Sequence, residues 1–128
     1  MKTAKSNDDI DFEIRFYERI LERKGDFVQA LIALGDLYTK KGLYEKGLTI
    51  DRKLLQLRPE DPYVFYNLSC SYSLVNAIDK AASAMKFAIK NGYRNFVYLE
   101  NDRDLINLLK DPEFRSYLDQ VKQAAKTI

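Results

Sequence analysis

Three places in the chain hold residue types able to do chemistry. The first is "GLYEKGLT" (Gly42 to Thr49), two glycines five apart with a hydroxyl behind them. That is the outline of a loop whose backbone N–H groups wrap a phosphate. Leu48 stands where such a loop needs lysine, and the residues before Gly42 carry helical rather than strand periodicity. The stretch reads as structural. The second place is Asn101, Asp102 and Asp104, oxygen donors faintly like a calcium loop. The central glycine and the distant bidentate glutamate of such a loop are both missing, so turn capping explains these side chains better. The third is Cys70, between Leu68 and Tyr72, which reads as a small packing residue rather than a nucleophile.

Absent residues narrow the chemistry further. The 128 residues contain no histidine and one cysteine, which excludes Ser-His and Cys-His catalysis, most zinc sites and an internal disulfide. The expectation is a non-enzyme with no metal and no cofactor. A net charge of +2, with Lys40, Lys41 and Lys46 scattered, argues against a nucleic-acid partner. No run approaches the roughly 20 apolar residues of a membrane helix, and "MKTAKSNDDIDF" lacks the apolar core of a secretory signal. No membrane partner and a cytoplasmic location are therefore expected. An apolar fraction of 46% is enough to bury a core in one domain.

The elements that must position these residues follow from a repeat. Shifting the chain by 34 residues aligns Leu31 with Phe65, Leu34 with Leu68, Gly35 with Ser69, Tyr38 with Tyr72 and Gly47 with Ala81. Each copy predicts a helix pair: one helix ending at Lys41-Gly42 and another from about Tyr44 to Leu57, then helices from Pro62 to Leu74 and Ile78 to Lys90. Asp61 is placed as an N-cap with Pro62 at the first helical position, and Asn91-Gly92 as a C-terminal cap. Ahead of them, Ser6 and Asp9 form a capping box for a helix stopping at Gly25. On that helix Arg15, Glu18, Arg19 and Glu22 are spaced for i,i+3 ion pairs.

These residues resemble the tetratricopeptide repeat family. Leu31, Leu34-Gly35, Tyr38, Gly42, Tyr44, Gly47 and Pro59 match one copy of its pattern; Phe65, Leu68-Ser69, Tyr72, Ala81, Ala88 and Ile89 match a second. Glu13 and Asp51 depart from it, and Tyr93 replaces the late proline. The resemblance implies an all-α, right-handed α-solenoid of antiparallel helix pairs. Its expected parts within one domain, 1–128, are a leading helix (8–24), repeat one (28–61), repeat two (62–93) and an irregular C-terminal cap (94–126).

What the resemblance implies for function is a non-catalytic interaction scaffold that binds a protein or peptide in a concave groove. By register the groove residues are Gln29, Ile32, Asp36, Thr39 and Lys40 in copy one, and Tyr63, Tyr66, Asn67, Cys70 and Ser73 in copy two, with Tyr98 and Asn101 added from the cap. The alternative for the tyrosines is packing between helices. A carboxylate clamp of the kind that holds chaperone tails is not expected: Asn67 matches, but Ile32, Asp36, Val97 and Asn101 supply no cation. The first alternative function is self-association as a homodimer through the apolar face Phe12, Phe16 and Ile20 of the leading helix. The second, ranked below it, is an enzyme acting through carboxylates or lysine, for which the sequence shows no paired constellation.

Overall fold

The computed structural model describes residues 6–126, and every regular element among them is a helix. In chain order these are α1 (Asn7–Arg23), α2 (Val28–Lys40), α3 (Tyr44–Leu57), α4 (Pro62–Leu74), α5 (Ile78–Lys90) and α6 (Phe96–Glu100). A 3₁₀ turn (Arg103–Leu105) then leads into α7 (Ile106–Leu109) and α8 (Pro112–Lys126). The chain divides into two compact units, Met1–Glu60 and Asp61–Ile128, with the boundary inside the Arg58 to Pro62 linker.

In the first unit the Ser6 hydroxyl accepts the Asp9 N–H at 3.2 Å and opens α1, with Asp8 and Asp9 complementing the helix dipole. One face of α1 (Ile10, Ile14, Tyr17, Leu21) packs on Leu34, Leu37 and Tyr38 of α2, with Ile50 from α3. Two polar links fix the pairing: Tyr38 donates to Glu18 at 2.5 Å, and Lys41 pairs with Asp11 at 2.6 Å. The α2–α3 hairpin is narrow. A Cβ at Gly35 would lie 3.3 Å from Ile50 Cγ2, and one at Gly47 would lie 3.3 Å from Thr39 Oγ1. Asp51 is buried and partnered, which is how the chain tolerates a carboxylate where the repeat pattern has an aromatic.

The second unit repeats the hairpin. The Asp61 carboxylate accepts the Tyr63 N–H at 2.9 Å, and Pro62 takes the first helical position of α4. Ser69 and Ala81 occupy the places of Gly35 and Gly47, and the Ser69 hydroxyl ties the helices by donating to the Ala81 carbonyl at 2.7 Å. The turns match bond for bond. In the first, Gly42 (φ +83°) lets its N–H reach the Thr39 carbonyl while the Leu43 N–H reaches Tyr38. One period later Asn76 (φ +60°) bonds Ser73 and Ala77 bonds Tyr72. Gly92 (φ +113°) closes α5 in the same way, with Tyr93 reaching Ala88. All three are Schellman closures, which need a residue tolerant of the left-handed region.

After α5 the repeat breaks. Asn95, Asp102 and Asp111 each cap the element that follows, α6, the 3₁₀ turn and α8, by accepting a backbone N–H from Tyr98, Asp104 and Phe114. Leu99, Leu105, Leu108 and Leu118 are fully buried with Phe114 against Met85, Ala88 and Ile89 of α5. Each such side chain stabilises the unit by about 1.5–3 kcal/mol relative to exposure. Glu100 fastens α8 to α6, receiving Lys122 at 2.5 Å and Arg115 at 3.7 Å.

Candidate functional site

The expected groove residues separate by burial. In the first unit Gln29, Ile32, Asp36 and Lys40 all lie exposed along one face of α2, with Asp36 and Lys40 paired at 3.0 Å. Thr39 is turned inward, donating to the Gly35 carbonyl at 3.1 Å. In the second unit Tyr63 and Asn67 are exposed on α4, whereas Tyr66, Cys70 and Ser73 are buried. The expectation that these three face an open groove is corrected here. The 3₁₀ turn and α7 fold back over this face of α4 and occupy it.

The contacts show how. The Tyr66 hydroxyl donates to Asp102 Oδ2 at 2.7 Å, and the Cys70 thiol approaches the same oxygen at 3.8 Å. Ser73 accepts the Leu108 N–H at 3.1 Å through its hydroxyl, and its carbonyl accepts Asn107 at 3.0 Å. Burial and the hydrogen bond to Asp102 push the Tyr66 phenol well above its ordinary pKa. Cys70, Asp102 and Asp104 do bring a sulfur and two carboxylate oxygens within 4.8 Å of one another. Asp102, however, is already engaged on both oxygens, by Tyr66 and Cys70 on one and by the Asp104 N–H on the other. The arrangement fastens a turn to a helix.

Four tyrosines form a continuous run above that anchor. Tyr66 stacks on Tyr93 at 4.7 Å between centroids, Tyr63 meets Tyr93 edge-on at 6.1 Å, and Tyr98 lies 6.0 Å from Tyr66. Burial raises the Tyr93 pKa. The inner pair is buried, while Tyr63 and Tyr98 keep 68% and 59% of their surface open. Beside Tyr98 an open concavity of about 440 Å³ is lined by Val97, Asn101, Asp102 and Arg103. The sequence placed Tyr63, Tyr66 and Tyr98 on this face but missed Tyr93 and Asp102. An aromatic directly after the Gly92 cap, where the repeat expects proline, was the available signal for Tyr93.

The other sequence motifs resolve locally. "GLYEKGLT" is the α2–α3 turn and the start of α3, with the Thr49 hydroxyl bonded to the Glu45 carbonyl. Asn101 donates to the Val97 carbonyl. The ion pairs expected along α1 do not form among the described residues: Glu18 accepts from Tyr38 instead. No helix among the described residues is long and apolar enough to cross a membrane.

Comparison with known proteins addresses the fold. No family model matches the chain. The solved structure of MamA, a protein of tetratricopeptide-like fold, superposes with a TM-score of 0.69 over 92% of this chain and 66% of that one, at 23% identity. The fold is that of the tetratricopeptide repeat. Two curated Arabidopsis thaliana proteins with tetratricopeptide repeats also align. One, a chloroplastic protein, is 32% identical over 90 residues, and the other, Protein CTR9 homolog, is 32% identical over 111. They match 68% and 84% of this chain, but the chain spans only 27% and 10% of their lengths. The similarity is therefore one of repeats within larger proteins.

Proposed function

We propose that the chain is a non-catalytic protein–protein interaction module, and that the tyrosine face of its second unit receives a segment of a partner protein. The observation that carries the reading is the pair of exposed rings, Tyr63 and Tyr98, held on a buried Tyr66–Tyr93 stack that is itself fixed by Asp102. A ring held from beneath loses little conformational freedom on binding and offers a large contact area. Asn67 on α4 and the Asn101 and Arg103 edge of the concavity supply polar groups to set register. A peptide of mixed polarity, extended or helical, suits such a face. In the first unit, the stripe Gln29, Ile32, Asp36 and Lys40 of α2 is proposed to make partner contacts of its own. The scaffold role is in keeping with the repeat fold, whose recognition resides in variable surface side chains.

The test is affinity capture from the native cell with wild-type chain and Tyr63→Ala/Tyr98→Ala. Both rings are more than half exposed, so the double change costs mainly their two ring contacts with Tyr93 and Tyr66, about 1–3 kcal/mol, and a thermal melt checks that the variant stays folded. Loss of the partners captured by the wild type is expected. Retention of every one of them by the folded double variant overturns the reading.

A further inference from the structure

We propose that the face of α1 opposite its α2 contact docks an acidic amphipathic helix of a partner protein. On that face Phe12 and Phe16 are 66% and 51% exposed. With Ile20 they line a groove of about 470 Å³ whose other walls are Arg15, Arg19 and Arg23. The arginines recur every fourth residue, so they form one edge with successive side chains about 6 Å apart along the helix. Among the described residues none of the three has an ion pair. An aromatic floor beside a row of unpaired guanidinium groups fits apolar side chains with carboxylates alongside them.

The charge pattern separates this occupant from others. The positive charge of α1 is a single edge of three arginines, with its six acidic side chains outside the groove lining, a patch that matches the few carboxylates of one helix face rather than the continuous charge of nucleic acid or an anionic membrane. On this helix positive charge is confined to the groove. A second copy of this chain is also disfavoured, because an antiparallel two-fold pairing would set each arginine edge against its own copy. A helix is favoured over an extended strand: α1 presents no unpaired backbone edge to a strand, whereas a helix satisfies its own backbone and can interdigitate side chains with Phe12, Phe16 and Ile20.

Two dye-labelled helical peptides test this. Each carries a leucine stripe flanked at every fourth position by glutamate in one peptide and by lysine in the other, and binding is read by fluorescence anisotropy. The wild-type chain should bind the glutamate peptide and prefer it over the lysine peptide. Phe12→Ala/Phe16→Ala should weaken binding at least about tenfold. Arg19→Glu should weaken the glutamate peptide and strengthen the lysine one, while circular-dichroism melts stay unchanged. Equal binding of both peptides, no binding of either, or indifference to the phenylalanine changes overturns the proposal. So does a sedimentation profile in which the wild-type chain is a dimer that Phe12→Ala/Phe16→Ala dissolves, because a second copy would then be the occupant. Tighter capture by anionic vesicles than by the glutamate peptide would also overturn it.

Discussion

Tyr66 and Tyr38 hold their protons for the same two reasons: each is buried, and each donates to a carboxylate, Asp102 and Glu18 respectively. Both folded-state pKa values therefore lie above the unfolded value of about 10. Between the two values the folded state binds more protons than the unfolded one, so stability is fully present below about pH 10 and falls as pH rises further. Ultraviolet titration of the native chain should show part of its tyrosine ionisation delayed past about pH 10. In guanidinium the delayed part should rejoin the rest. A single native transition identical to the denatured one contradicts the buried network. At neutral pH Tyr66→Phe should cost about 1.5–3 kcal/mol in a denaturant titration, the worth of a hydrogen bond to a charged acceptor. From sequence, Tyr66 and Tyr63 looked equivalent, three residues apart on one helix. Only the position of Asp102, 36 residues further along, makes one an anchor and the other a surface.

The helix pairs follow from short-range chemistry, and that is why they were legible. Gly42, Asn76 and Gly92 stand where the chain must enter the left-handed region, and Asp61-Pro62 and Asp111-Pro112 announce helix starts within two residues. Gly42→Ala should destabilise by about 1–2 kcal/mol, since an L side chain is strained at a φ of +83° although the space around it is open. Asn76→Gly should be within about 0.5 kcal/mol of wild type, because glycine relaxes the same strain. Thermal melts of the two variants check the pair, and equal losses contradict the shared turn geometry. The segment after Tyr93 was legible as an irregular cap but not in what it covers. It has no period, and its burial of Tyr66, Cys70 and Ser73 depends on contacts more than 30 residues apart in sequence. The α1 arginines were misread for a related reason: spacing alone cannot show that Glu18 prefers the Tyr38 hydroxyl on the next helix.

At the scale of the whole molecule the chain is two units, each with its own helix hairpin and core, the second closed by the C-terminal cap. The repeat supplies rigidity, and what remains for recognition is whatever the caps leave uncovered. In the second unit the covering of α4 by the 3₁₀ turn and α7 leaves Tyr63 and Tyr98 as the open end of a supported aromatic run. That uncovered pair is the centre of the account. The most direct test places a photo-crosslinking phenylalanine analogue at position 63, at position 98 and, as a control, at the exposed Ser83 position on α5. Irradiation in the native cell should join one common partner to positions 63 and 98 and leave position 83 without it. A partner joined equally well from position 83, or from neither 63 nor 98, would contradict the tyrosine face as the binding surface.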